Sequence, residues 1–162
     1  GREGMGFIFT MRTFDKTLPG IGAQALGIAT GALDAAVQYA REREQFDRKI
    51  ASFQAIQHML ADMATQVEAA RALVYSVARY IDSNPRDTSK VSAMSKVFPS
   101  DVAMKVVVDA LQVFGGYGYM KDYPMEKMMR DAKILQIYEG TNQIQRNVIG
   151  LELIKEAASK KK

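Results

Sequence analysis

No cysteine occurs among the 162 residues, so the chain contains no disulfide framework, no thiolate metal site and no cysteine nucleophile. Its single histidine, His58, excludes a Ser-His or multi-histidine zinc centre built from this chain alone. Acid–base chemistry, where there is any, falls to carboxylates, and no metal is expected. Four prolines and twelve glycines leave few of the closely spaced breakers that a sandwich of short strands needs, so a mainly helical domain is expected. No run reaches the ~18 uninterrupted apolar residues of a membrane-spanning helix. The longest apolar stretch, residues 21–37, is broken by Gly, Thr, Gln and Asp, and the chain is expected to be soluble. The opening Gly1-Arg2-Glu3-Gly4 matches neither an initiator methionine nor a signal peptide, which suggests a segment cut from a longer chain.

What is present suits one folded domain over residues 1–162, with 48% hydrophobic and 25% charged residues. The net charge of +4 is modest and its acidic residues are interspersed; the only basic run is the terminal Lys160-Lys161-Lys162, so nucleic-acid binding is not expected. Residues 1–13, rich in glycine and without helical period, read as an entry segment. Pro19 sits where a helix can begin, and apolar residues then recur every three or four positions to about residue 44. Gly22, Ala23, Gly27 and Gly31 lower helix propensity there, pointing to close approach of another helix. A second periodic run extends from residue 53 to 81 and ends in the turn formers Ser83, Asn84, Pro85, Arg86 and Asp87. A third starts near Thr88 and stops at Gly115-Gly116, with Pro99 inside it predicting a kink or a lost hydrogen bond at Ser95. Residues 125–137 form a shorter helix, and Thr141 caps the last one. These elements predict an all-α, up-and-down four-helix bundle with an extra short helix.

Three clusters can carry chemistry. In Ile137-Tyr138-Glu139-Gly140-Thr141, a carboxylate follows an aromatic residue and precedes a glycine and a helix start. A helix dipole favours the anion, whereas a dry apolar setting favours the neutral acid, as a base for a weak carbon acid requires; the residues alone leave Glu139 between a first-turn helix acid and a general base. Gln112 to Tyr119 is either a glycine helix cap or a close approach to a ligand, and it is no dinucleotide fingerprint, because it follows a helix rather than a strand. Arg41 to Phe46 is either a solvated helix end or a set of guanidinium, amide and aromatic groups suited to phosphate and a flat ring.

Taken together, IYEGTNQIQR after MMRDAKILQ, QVFGGYGYMKDYPMEK before it, and FDKTLP near the start resemble the C-terminal domain of an acyl-CoA dehydrogenase. The resemblance runs from Gly1 to about Lys155. It implies that the family's N-terminal helical and middle β domains lie outside this chain. It implies that Glu139 removes the α proton of an acyl-CoA thioester while a hydride leaves the β carbon for FAD, giving a 2,3-enoyl-CoA. The thioester carbonyl would be polarised by the base's own backbone N–H and a flavin hydroxyl. By position, Arg43, Gln45, Phe46 and Gln54 match FAD contacts, Gln112, Gly115 and Gly116 match a set that meets FAD from a neighbouring subunit, and Thr141 and Gln143 match contacts after the base. Asp15, Lys16, Thr17, Tyr138 and Gly140 match positions near the acyl-CoA. A homodimer or homotetramer follows from the shared flavin site, electron-transfer flavoprotein is the implied electron acceptor, and the compartment would be the cytoplasm in a bacterium or the mitochondrial matrix in a eukaryote. The alternative is a helical oligomerisation module with no activity of its own.

Three departures stand out against the family pattern. Leu18 replaces an arginine common in the CoA-binding segment, Asp47 stands where Phe-Gly is usual after the flavin-contacting arginine, and Pro99 replaces a small helix residue. Arg130-Asp131 reads as a structural ion pair and His58 as an interhelical hydrogen-bonding residue.

Overall fold

A computed structural model describes residues 1–85 and 87–160; the turn residue Arg86 and the terminal Lys161 and Lys162 lie outside the described residues. The described chain forms five helices: α1 Gly6–Glu42, α2 Gln54–Asp82, α3 Ser89–Phe114, α4 Met125–Ile134 and α5 Asn142–Ser159. Between α1 and α2 a minimal antiparallel hairpin pairs β1 Glu44–Gln45 with β2 Arg48–Lys49. Four long helices and one short one match the expected all-α bundle. Helix α3 is its hub, packing against α1, α2, α4 and α5.

The core explains that choice of hub. Ala25, Ala29, Ala32 and Ala36 line one face of α1, and Ala103, Val106, Val107 and Ala110 line the facing side of α3, with Met63, Val67 and Ala70 closing the layer from α2. Their spacing of three and four is that of one helical face. The small side chains let the axes approach closely, and each fully buried valine or methionine contributes about 1.5–3 kcal/mol.

Two prolines sit inside these helices, Pro19 in α1 and Pro99 in α3. Each removes the donor that would serve the carbonyl four residues earlier, at Asp15 and Ser95. Both freed carbonyls lie at the α1–α3 contact, and the first is paired there. The Ser92 hydroxyl of α3 donates to the Asp15 carbonyl at 2.5 Å. The Ser95 carbonyl faces Gly22, where a Cβ would come within 2.0 Å of its oxygen.

This corrects the expectation that α1 begins at Pro19. The helix starts at Gly6 and runs through the proline, because α3 supplies the missing partner; residues 1–13 are therefore mostly helix rather than an entry segment. Thr10 and Thr13 donate back to the carbonyls of Gly6 and Phe9, each at 3.0 Å. At its other end α1 stops at Glu42, giving way to the hairpin. By length and composition α1 is apolar enough to cross a membrane, but Leu18, Ile21, Ala25, Leu26 and Ala29 are buried in the bundle.

Two smaller expectations also change. Arg130 and Asp131 do not pair with each other: one turn back, Arg130 meets Glu126 and Asp131 meets Lys127. His58 is exposed on α2 rather than bridging helices.

Close approach at Gly22 and open space at Gly27, where nothing lies within 4 Å of a built Cβ, give opposite expectations for one substitution. Gly22→Ala should destabilise the chain by about 1–3 kcal/mol or more through overpacking. Gly27→Ala should stabilise it by about 0.5–1 kcal/mol through helix propensity. Urea unfolding of both variants checks this, and a tolerated Gly22→Ala would disprove the close crossing.

Candidate functional site

Two half-sites lie toward opposite ends of α3. The first is the turn between α4 and α5. Glu139 has φ +51° and Gly140 φ +85°, so consecutive residues are left-handed, a conformation that costs a residue with a Cβ about 1–2 kcal/mol. Both carbonyls of the pair are engaged. Gln145 Nε2 donates to the Glu139 carbonyl at 3.1 Å, and Lys96 Nζ donates to the Gly140 carbonyl at 2.9 Å. A Cβ at Gly140 would lie 2.6 Å from Gln145 Nε2 and push that amide off the Glu139 carbonyl. Among the described residues the Glu139 N–H has no acceptor.

The Glu139 carboxylate accepts a hydrogen bond from the Thr17 hydroxyl of α1 at 3.0 Å. Tyr138 donates its hydroxyl to Gln24 Oε1 at 2.5 Å, tying the same turn to α1; burial and the neighbouring Glu139 raise its phenol pKa. Glu139 itself is half-buried, so the described residues do not supply the dry surroundings expected from its apolar neighbours. Thr141 caps α5 as expected, its hydroxyl accepting from Ile144 N at 3.3 Å.

Beneath the turn runs a buried polar relay. Lys96 Nζ also donates to Asn142 Oδ1 at 2.6 Å, and Asn142 Nδ2 donates to Ser100 Oγ at 2.9 Å and Asp101 Oδ1 at 2.8 Å. Asp101 accepts from Gln136 Nε2 at 2.7 Å and pairs with Arg146. Lys96 is fully buried. Burial pushes its pKa down to about 8, against the opposing pull of Asp101 and Glu139.

The second half-site is a cavity of about 860 Å³ where the hairpin meets the C-terminal end of α3. The helical rise of about 1.5 Å per residue separates Asp101 from Phe114 by about 20 Å along α3. Arg43, Gln45, Phe46, Gly115 and Gly116 all line this cavity. Its walls are aromatic: Tyr39 stacks on Phe114 at 4.1 Å, and the Arg43 guanidinium lies 5.3 Å from the Tyr117 ring centre. Phe46 and Asp47, at φ +54° and +58°, form a two-residue turn of the I′ class. Aspartate tolerates the left-handed region, so Asp47 takes up the conformation for which a glycine is usual.

Residues 4–154 match the model of the acyl-CoA dehydrogenase C-terminal domain. The chain belongs to the acyl-CoA dehydrogenase family. It is 54% identical over 158 residues to cyclohexane-1-carbonyl-CoA dehydrogenase of Geobacter metallireducens, covering 98% of this chain and 41% of that protein. Butyryl-CoA dehydrogenase of Megasphaera elsdenii superposes with a TM-score of 0.92 at 49% identity, over 95% of this chain and 40% of that one. A chain in the solved structure of the electron-transferring flavoprotein of Acidaminococcus fermentans gives a TM-score of 0.91 at 57% identity, over 94% of this chain and 40% of that one. This chain thus spans about two fifths of the relatives it matches.

Within this acyl-CoA dehydrogenase bundle, the expected residues fall into groups. Thr17, Tyr138, Glu139 and Gly140 meet at the turn, with Thr141 and Gln143 following on α5 beside Asp101 and Arg146. Arg43, Gln45, Phe46, Gly115 and Gly116 meet at the cavity, where Gln54 and Gln112 are exposed next to the lining residues Phe53 and Val113. Asp15 turns toward α3 instead, accepting from the Ser89 hydroxyl at 2.8 Å, while burial raises its pKa against that hydrogen bond. Lys16 is exposed. Leu18 is 2% exposed, which corrects its placement on the CoA side: a buried side chain there offers no surface for a charged contact. Lys96, Asp101, Asn142 and Gln145 were not singled out from the sequence. The available signal was Ser92, Lys96 and Ser100, a four-residue polar spacing along one face of α3 that the structure buries.

Lys96 has a folded pKa near 8 and an ordinary value of 10.5. Between those values the unfolded chain binds more protons than the folded one, so the contribution of Lys96 to stability rises with pH across that window. Unfolding free energies measured at pH 7, 9 and 10.5 should therefore show a rise in the wild type that Lys96→Met lacks. Parallel pH profiles for the two would contradict the lowered pKa.

Proposed function

We propose that this chain is the C-terminal bundle of a flavin-dependent acyl-CoA dehydrogenase that converts an acyl-CoA thioester to its 2,3-enoyl-CoA, with Glu139 as the base. The observation that carries the reading is the Glu139 turn: a carboxylate on a strained, fully tethered backbone, followed by a helix start that carries Thr141 and Gln143. Relatives named for dehydrogenation of cyclohexane-1-carbonyl-CoA and butyryl-CoA support the substrate class.

The α proton of a thioester is only weakly acidic, so its removal needs both a positioned base and a polarised carbonyl. Glu139 accepts the proton on its carboxylate, oriented by the Thr17 hydroxyl. The Glu139 N–H is free to meet the thioester oxygen, and the engaged carbonyls of Glu139 and Gly140 fix the two peptides that follow it. Gly140 keeps the approach open. Tyr138 borders the acyl-CoA side, with Lys16 exposed next to Thr17 on α1.

The second half-site fits the adenosine diphosphate portion of FAD. Its stacked aromatic walls suit a flat base, Arg43 suits a pyrophosphate, and Gly115 and Gly116 allow backbone approach. Bound FAD supplies the acceptor for the β hydride. Because Arg43, Gln45 and Phe46 share one cavity with Gly115 and Gly116, both sets act on the same FAD from the same bundle. Thr141 and Gln143 lie about 20 Å away along α3, at the Glu139 end; with the cavity set meeting the FAD of a neighbouring subunit, as the resemblance implies, these two meet the flavin end of the bundle's own FAD. That division favours a homodimer or homotetramer in which each cofactor bridges two bundles. Electron-transfer flavoprotein is the proposed electron acceptor, supported by the similar chain in the Acidaminococcus structure.

In the FAD-loaded dehydrogenase carrying this bundle, Glu139→Gln should leave the flavin bound and slow its bleaching by butyryl-CoA by about 10²–10⁴-fold or more, because the amide keeps the shape but cannot take the proton. Anaerobic stopped-flow absorbance reads this, and bleaching at the wild-type rate would refute the base assignment.

A further inference from the structure

We infer that Lys96 is a positioning residue that holds the Glu139 turn in its working geometry by bonding both sides of Gly140–Asn142. The inference rests on Glu139 being the base. Lys96 comes from α3, not from the turn, and its ammonium reaches the Gly140 carbonyl at 2.9 Å and Asn142 Oδ1 at 2.6 Å. One contact falls on the residue after Glu139 and the other on the first residue of α5. Two consecutive left-handed residues are held only where the surroundings determine their peptide planes. Gln145 fixes the first carbonyl of the pair and Lys96 the second.

A packing role is a poor account of this side chain. Burying an ammonium costs free energy that an apolar chain of the same volume does not, and here that cost is offset only by hydrogen bonds to oxygens that belong to the turn and to the first residue of α5. Among the described residues no carboxylate forms a direct ion pair with Lys96; its charge is met by carbonyl and amide oxygens, with Asp101 one hydrogen bond farther away through Asn142. Such a group contributes orientation. The relay beneath it extends that orientation to Gln136, before the turn, and Arg146, after it.

Lys96→Met tests this at three levels. In the present chain at pH 7 its unfolding free energy should fall, because the Gly140 and Asn142 oxygens lose their donor, and amide hydrogen exchange should quicken at least tenfold more in a peptide spanning residues 136–146 than in a peptide from α2. In the FAD-loaded dehydrogenase its kcat with butyryl-CoA should fall at least tenfold with KM within about twofold. Unchanged exchange in that peptide together with unchanged kcat would overturn the inference. Because Lys96→Met also lowers global stability, Lys96→Ala with added ethylammonium decides: recovery of kcat at constant unfolding free energy supports positioning, and no recovery overturns it. Glu139→Gln serves as the control that separates the two readings. Should it bleach at the wild-type rate, the base assignment fails, whereas the exchange measurement still reports whether Lys96 holds the turn.

Discussion

The crossing of α1 over α3 is the constraint on which the rest depends. Pro19 and Pro99 each leave one carbonyl without its helical donor, and a carbonyl buried unpaired costs about 1–3 kcal/mol. At Asp15 the deficit is met by Ser92 from the opposite helix. At Ser95 the oxygen stands against Gly22, a residue that can come close only because it has no side chain. One crossing thus meets the Asp15 deficit and sets the Ser95 oxygen against a helix face that carries no side chain. It also aims the site, because Thr17 and Gln24 of α1 and Lys96 of α3 flank these contacts and reach the Glu139 turn. A shift of one helix along the other would move all three donors and acceptors together.

Backbone strain is concentrated at the two candidate half-sites. Among the described residues, four with a side chain have left-handed φ: Phe46, Asp47, Asn84 and Glu139. Asn84 belongs to the turn after α2, a conformation asparagine tolerates. The other three belong to the two half-sites, and Phe46 and Glu139 are residue types that do not favour this region. Strain of this kind persists where surrounding bonds over-determine it. At Glu139 those bonds come from Thr17, Gln145 and Lys96; at Phe46 the paired strands Glu44–Gln45 and Arg48–Lys49 close the turn.

Much of this was legible in the residues. The helical periods, the Thr141 cap and the glycine stop at Gly115 gave the bundle, since each is a local signal whose meaning needs no partner. The start of α1 was not legible, because whether a helix survives Pro19 depends on a serine more than seventy positions away. Leu18 and His58 failed for the same reason in opposite directions: the side of a helix facing the core is set by its neighbours, and the period of α1 and α2 alone leaves single positions open. The motif around Glu139 was visible through its resemblance to a family, yet Lys96 escaped notice. A lysine in a helix ordinarily extends to solvent, and only the fold shows that this one points inward.

Lys96 separates two uses of charge in this chain. Pairs such as Lys105 with Asp109, 2.7 Å apart on the exposed face of α3, are screened by water and contribute at most about 1 kcal/mol each. They can be lost without moving anything else. The interior relay differs at its buried end, where Lys96, Ser100 and Asn142 are at most 2% exposed and water does not replace their partners. Lys96 cannot swing away without leaving the Gly140 carbonyl and the Asn142 amide oxygen unpaired, and Asn142 cannot move without releasing Ser100 and Asp101. Low dielectric makes such a network costly to break at any point. The helices thereby hold in place a loop whose own backbone preferences would not fix it, and the role proposed for Glu139 rests on that support as well as on the carboxylate.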